Sequence, residues 1–262
     1  MAAPLEEIEF LARSANRIEV LATLADGAYS RRELGEAVDA SQPTLGRVLN
    51  DLSDRTWIRY DGERYRATAT GRLVAAGITD LRERLETETR LREVAAWLPD
   101  DLEVDLRHFR DATITTPTAA RPNAPIRRML ELLRSTDRAL LCSHSFNEQK
   151  LRLLRERVTN GEMTAKGVFT ADAIDALVDV PDLRRELRAL VDAPDAEIRV
   201  TTEDVPLAVE ITADRSHLLL RDDEGLVRAS VDTGDASVRE WATALHERYW
   251  VGAEPVDETR LG

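Results

Sequence analysis

Between Ser30 and Thr68 the apolar period changes from that of a helix to that of a strand, and capping and turn residues mark each boundary. Ser30-Arg31-Arg32-Glu33 has the spacing in which a serine oxygen covers a free backbone amide and a glutamate reaches back to the serine's own amide. It predicts a short helix through Leu34, Ala37 and Val38. After a turn at Asp39-Ala40, Ser41 is the next cap, and Pro43 falls in the first turn, where a missing amide proton costs nothing. Leu45, Val48, Leu49 and Leu52 then recur at i, i+3, i+4 and i+7, which makes one buried face. After Trp57 the alternation is two-fold, in Ile58-Arg59-Tyr60 and again from Arg64 to Thr68, around an Asp61-Gly62 turn that specifies a hairpin. Upstream, helices are predicted from about Leu5 to Arg13 and from Ser14, a cap, to Gly27.

Helices followed by a two-stranded hairpin are the order of a winged helix-turn-helix, which occupies residues 1–69 in this reading. From Thr70 to Leu98 the pattern is helical, about 40 Å at 1.5 Å per residue. Val74, Ile78, Leu81 and Leu85 step by four, three and four, the spacing of a coiled-coil seam that Glu88 interrupts and Leu91, Val94 and Leu98 resume. The expectation for residues 70–98 is a linker helix that also dimerises. Pro99-Asp100-Asp101 stops it, and Thr113 to Pro125, with three prolines, reads as a surface connection. Strand-like and helical stretches then alternate, with extended runs Glu197–Thr202, Leu207–Thr212, Ser216–Arg221 and Gly225–Val231 before a closing helix from Ala236 to Tyr249. The predicted class is α+β or α/β, with residues 99–262 forming an α/β regulatory domain on a mixed sheet.

A chain of 262 residues with 36 basic and 49 acidic side chains has a net charge of −13, which taken naively argues against nucleic acid. The distribution decides otherwise. Residues 41–72 carry six arginines against four acids, the one segment with a positive balance, and it is the segment that the helix and hairpin occupy. Only Lys150 and Lys166 among the basic residues are not arginine. Acid enrichment with lysine depletion resembles proteins of salt-accumulating halophilic archaea, where carboxylates keep a surface solvated and like-charge repulsion is screened. No stretch approaches the roughly 18 consecutive apolar residues of a membrane span, and Met1 to Phe10 is acidic, so a cytoplasmic protein without a membrane partner is expected. Cys142 is the only cysteine, which excludes an internal disulfide and a paired-thiolate zinc site.

The chemistry-bearing residues fall in two groups. Arg47 and Asn50 lie on the face of the Ser41 helix opposite Leu45 and Leu49, with Ser41, Gln42 and Thr44 near its amino end and Arg31 on the helix before it. Arginine can pair both donors with guanine, and asparagine or glutamine can pair with adenine, so this face suits major-groove readout of double-stranded DNA. Arg59, Arg64 and Arg66 alternate on the hairpin and can share a face suited to phosphate contact. Separately, Ser143, His144 and Ser145 lie just past the end of an apolar strand, where open α/β sheets place ligands. No GxxxxGK, GxSxG or HExxH pattern occurs, and neither a cofactor nor a metal is expected.

Ser30 to Leu34, Ser41 to Arg47 and Leu52 to Ile58 resemble the helix-turn-helix of archaeal winged-helix regulators. Trp97-Leu98-Pro99, Val168 to Asp172, Glu240-Trp241-Ala242 and Tyr249 are similar to the middle domain of the methanogenesis regulatory protein family. The resemblance implies a transcription factor, not an enzyme, whose regulatory domain is related to the phospholipase-D-like effector domains of archaeal sugar-responsive regulators. Catalytic members of that group use a histidine followed two residues later by lysine. Here His108, His144, His217 and His246 are followed at that spacing by Arg110, Phe146, Leu219 and Arg248. The expected function is a homodimeric DNA-binding regulator responding to a small ligand or a partner protein. Two alternatives stay open: a hydrolase or transferase using the carboxy-terminal domain, and a helix-turn-helix turned to protein interaction.

Overall fold

Each local signal between Ser30 and Thr68 is realised as an element. In the computed structural model, which describes residues 3–261, the amino-terminal helices are α1 (Pro4–Ala12), α2 (Ala15–Asp26), α3 (Arg31–Ala37) and α4 (Gln42–Asp54). The Ser30 hydroxyl accepts from the Glu33 amide at 3.3 Å, and the Glu33 carboxylate accepts from the Ser30 amide at 2.7 Å. Leu45, Val48, Leu49 and Leu52 of α4 are buried against Val20, Leu21 and Leu24 of α2 and Leu34 of α3. At about 25 cal/mol per Å² of apolar surface, such a stripe stabilises the helices far more than their propensity does. Strands β1 (Ile58–Tyr60) and β2 (Tyr65–Ala67) pair antiparallel, with Arg59 opposite Arg66, and Gly62 turns the hairpin at φ 103°. Tyr29 adds a backbone bridge to Tyr65 that ties the hairpin to the α2–α3 connection.

The chain divides into two compact units, one up to Glu86 and the other from Thr87. Helix α5 (Ala69–Leu91) begins in the first. It is shorter than the periodicity suggests. After Leu91 the chain tightens into three-residue hydrogen bonds and a 3₁₀ turn at Ala95–Trp97, because Leu91 and Val94 are buried in the core of the second unit. The predicted seam is also divided. Val74 and Ile78 pack on the amino-terminal core, whereas Leu81 and Leu85 are 41% and 54% exposed.

The second unit is a three-layer α/β domain. Its elements are β3 (Thr113–Thr115), α6 (Ala124–Arg134), β4 (Arg138–Ser143), α7 (Glu148–Thr159), β5 (Thr164–Thr170), α8 (Ala171–Val178), α9 (Pro181–Val191), β6 (Ala196–Thr201), β7 (Ala208–Ile211), β8 (Ser216–Arg221), β9 (Val227–Thr233), α10 (Ala236–Gly252), β10 (Glu254–Pro255) and α11 (Glu258–Leu261). They form one sheet in the order β10-β6-β5-β4-β7-β8-β9-β3, parallel through β4, β5 and β6 and antiparallel elsewhere. Helices α6 to α9 bury Met129, Leu133, Leu151 and Leu187 with Leu141 and Phe169 of the sheet. On the other side α10 buries Val238 and Ala242 with Val209, Leu218 and Val231. The stretch from Thr113, read as surface connection, instead begins with an edge strand. Thr113, Ile114 and Thr115 pair with β9, a run too short for its period to show in sequence.

In α10, His246 is 3% exposed and stacks on Trp250 with ring centroids 5.3 Å apart. Burial pushes its pKa down to about 4. The folded protein therefore resists a proton that the unfolded chain accepts near pH 6.5, so this contribution to stability is complete above that pH and is lost as pH falls towards 4. In His246→Phe, urea midpoints should fall less steeply between those pH values than in the parent. An unchanged pH profile would show that His246 is not held neutral.

Candidate nucleic-acid interface

The buried stripe of α4 fixes what its opposite face presents. Arg47 and Asn50 are exposed, and among the described residues neither has a hydrogen-bond or ion-pair partner. At the start of the helix the Ser41 hydroxyl accepts from the Thr44 amide at 3.4 Å and lies 2.9 Å from the Thr44 hydroxyl. Both side chains are thus engaged in the cap. Arg31, at the start of α3, donates to the Gln42 carbonyl at 3.0 Å. A β-carbon on Gly46 would come within 2.8 Å of the Arg31 guanidinium, so Gly46 makes room for it over α4. Similarly, Gly35 accommodates the Gln42 amide group, which a β-carbon there would meet at 2.7 Å. These two glycines went unremarked in the sequence; their signal is two glycines within helical patterns, each about a turn from a long polar side chain.

On the hairpin the three arginines have different surroundings. Arg59 is exposed and unpaired among the described residues. Arg66, directly across the ladder, pairs with Asp61 of the turn. The amides of Arg64 and Glu63 hold the Asp61 carboxyl at about 2, with Arg66 adding to the effect. Arg64 turns back to the body of the domain, donating to the Ala28 carbonyl at 2.9 Å and to Glu33 at 3.1 Å. Glu33 is held below the ordinary carboxylate range first by the Ser30 amide and hydroxyl, then by Arg64. The three therefore do not present one common face: Arg64 fastens the hairpin to the start of α3.

In the second unit, Ser143 ends β4 buried, its hydroxyl accepting from the Ser145 amide at 3.1 Å. His144 places Nδ1 2.9 Å from the Val205 carbonyl, so this nitrogen carries the proton. Burial first, and then the nearby Arg221, lower its pKa. The Ser145 hydroxyl accepts from Arg221 at 2.5 Å. The structure thus gathers these three residues around a fourth, Arg221, that lies far away in sequence. Among the described residues no group of three His, Cys, Asp or Glu side chains is placed to hold a metal ion, and no helix is long and apolar enough to cross a membrane.

Comparison with known families matches two separate models to the two parts of the chain. Residues 5–90 match the model of the HVO_A0261 N-terminal domain, and residues 122–251 match that of the middle domain of the methanogenesis regulatory protein FilR1. Each match covers less than half of the chain, and the two do not overlap. The second match agrees with the resemblance read from Trp97 to Tyr249. Among solved structures, the archaeal chromatin protein TrmBL2 is 16% identical, over 97% of this chain and 100% of that one, with a TM-score of 0.44. NucT from Helicobacter pylori is 8% identical over 55% of this chain and 98% of its own (TM-score 0.42). The phospholipase D family member Nuc from Salmonella typhimurium is 9% identical over 56% and 99% (TM-score 0.42). No curated protein matches the chain.

Proposed function

We propose that this FilR1-type chain is a sequence-specific, homodimeric DNA-binding transcription regulator whose carboxy-terminal domain responds to an effector. The observation that carries the reading is the α4 face. Arg47 and Asn50 are held on a helix whose other side is locked in a core, exposed and without competing partners among the described residues. A side chain with no protein partner gives up only bonds to water on reaching a base edge. Gln42 and Thr44 stand at the same end of α4, and Ser41 and Arg31 set how that end enters a groove. On the wing, Arg59 is the phosphate contact of choice, Arg66 joins it once released from Asp61, and Arg64 acts by fixing the wing. The acidic remainder of the chain suits a protein working at high salt, where nonspecific phosphate attraction is weak and base contacts carry more of the binding.

Arg47→Ala is expected to lower the ratio of operator to scrambled-duplex affinity by about 1–3 kcal/mol, the worth of one paired base contact. Arg59→Ala should instead weaken both duplexes alike and flatten the dependence on salt by about one phosphate contact. Binding isotherms at several potassium chloride concentrations measure both. An undiminished ratio in Arg47→Ala would remove α4 as the reading helix.

The dimer reading rests on α5. Leu73, Leu81 and Leu85 are exposed, and a β-carbon on Gly77 would meet nothing within 4 Å. Positions 73, 77, 81 and 85 form one ridge of four-residue steps, of the kind that packs into a matching helix with close backbone approach at its smallest residue. The double variant Leu81→Ala, Leu85→Ala should shift sedimentation from dimer to monomer while leaving the amino-terminal core folded. A dimer of unchanged affinity would place the subunit contact elsewhere.

A further inference from the structure

We propose that the carboxyl edge of the sheet beside β4 and β7 binds the phosphate or carboxylate group of a small metabolite, with Arg221 as its charge partner and Ser145 alongside. The proposal rests on the effector-responsive reading above and names the chemistry of the effector.

Topology puts the pieces together. β8 is antiparallel to β7, which is antiparallel to β4, so the last residues of β4 and β8 lie at the same edge of the sheet. From β4 the chain leaves through α7 to β5 on one side, and it returns from β6 to β7 on the other. A crevice where successive connections diverge in this way is the customary ligand position in open α/β sheets. Helix α7 opens at the same point, directly after the His144–Asn147 connection from β4. The Asn147 side chain caps the Lys150 amide at 2.8 Å, which leaves the amides of Glu148 and Gln149 as the helix's leading donors.

Arg221 brings a charge that the protein does not balance locally. One terminal nitrogen donates to the Ser145 hydroxyl at 2.5 Å and the other to the Gly225 carbonyl at 3.2 Å. Its Nε is sealed from solvent without an acceptor, and among the described residues no carboxylate is within ion-pair distance. The adjacent Asp222 is committed to Arg228 at 2.6 Å. The nearby cation, Lys150, is already neutralised by Glu210 at 2.7 Å. Among the other half-buried arginines, Arg17, Arg128 and Arg199 have a carboxylate, whereas Arg184 and Arg239 bond main-chain carbonyls and stand at no strand end beside a serine cluster. An incoming oxyanion completes what Asp51 or Asp232 does for Arg17 and Arg128. Burial lowers the Arg221 pKa by more than the field of Glu210, a carboxylate already bonded to Lys150 and His217, raises it. His144 uses its proton on Val205 and so positions the loop leading into β7 rather than serving as a donor to the anion.

Calorimetric titration of the full chain with inorganic phosphate and, separately, with citrate at constant ionic strength tests this. Saturable binding of at least one anion is expected, weakened about tenfold or more in Arg221→Gln and by less in Ser145→Ala, with the near-ultraviolet dichroism of the variants unchanged. Binding of phosphate alone assigns a phosphorylated ligand, and binding of citrate alone a carboxylate. Should Arg221→Gln fail to fold, Arg221→Lys and Ser145→Ala decide: weakening in both supports the site. No saturable binding of either anion, or full affinity in the Arg221 and Ser145 variants, overturns it. A chain that binds the anion but no DNA would sink the regulator reading and leave this one standing; DNA binding without anion binding would do the reverse.

Discussion

Replacing Lys150 with Met should cost the carboxy-terminal unit about 3–5 kcal/mol, the usual consequence of leaving one partner of a buried ion pair alone. The Lys150 and Glu210 side chains are each 2% exposed and meet at 2.7 Å, and the other Glu210 oxygen lies 2.7 Å from His217 Nδ1. Burial alone would raise the Glu210 pKa; Lys150 and His217 outweigh it and hold the carboxyl at about 2. Because the unfolded chain takes up that proton near 4.5, the pair stabilises the fold above that pH and ceases to as pH falls towards 2. Without Lys150 the folded Glu210 pKa rises, so the variant should be destabilised most at neutral pH and least in acid. Adding Glu210→Gln to Lys150→Met should restore most of the urea midpoint at pH 7, since the amide needs no counter-charge and can still bond His217. If Lys150→Met alone matches the parent at pH 7, the ion pair does not hold these layers together.

This pair is one end of a polar ladder across the buried face of β7, β8 and β9. Glu210 stands opposite His217 on β8, and His217 stands opposite Asp232 on β9. Asp232 is wholly buried and accepts two bonds from Arg128 of α6, at 2.9 and 2.8 Å, and another from Arg215. Burial works to raise its pKa, yet the two guanidinium groups hold it below the ordinary range. The extended runs that become β7, β8 and β9 were legible in the sequence, but this network was not, because Arg128 and Asp232 are 104 residues apart and Lys150 and Glu210 are 60 apart. Periodicity says which residues share a face and nothing about what crosses to meet them.

The same limit runs through the candidate sites. A serine cap acts within three residues, so the starts of α3 and α4 could be read directly. Arg59, Arg64 and Arg66 have the spacing of one face, but Glu33, 31 residues earlier, takes Arg64 out of it. Ser143, His144 and Ser145 stood out as a polar cluster after an apolar strand. Arg221, which gives that cluster its charge, is 76 residues from Ser145, and only the strand order brings the two together. Helix α5 shows the converse. The four seam positions before Glu88 looked alike in sequence because spacing alone cannot tell that Val74 and Ile78 meet their own domain while Leu81 and Leu85 are left exposed.

Two glycines of α5 should respond to the same substitution with opposite signs. A glycine inside a helix costs about 0.5–1 kcal/mol relative to alanine, so each needs a reason. At Gly71 the reason lies within the amino-terminal unit. A β-carbon there would sit 1.8 Å from the Trp57 carbonyl oxygen, and that carbonyl is held by the Thr68 amide at 2.8 Å at the start of the helix. The Gly71 amide in turn donates to the Thr68 hydroxyl at 3.1 Å, which itself donates to the Thr56 carbonyl at 2.7 Å. Neither backbone can move without breaking this junction, and no side-chain rotation relieves an overlap with main chain. Gly71→Ala should therefore lose about 3 kcal/mol, the upper end of what overpacking costs, and detach the wing from α5. Gly77 meets nothing within 4 Å, so in the monomer Gly77→Ala should gain about 0.5–1 kcal/mol of helix stability. Urea denaturation of both variants at a concentration low enough to keep the chain monomeric gives the two signs. Equal and small effects would mean that α5 does not approach Trp57 as closely as this packing requires.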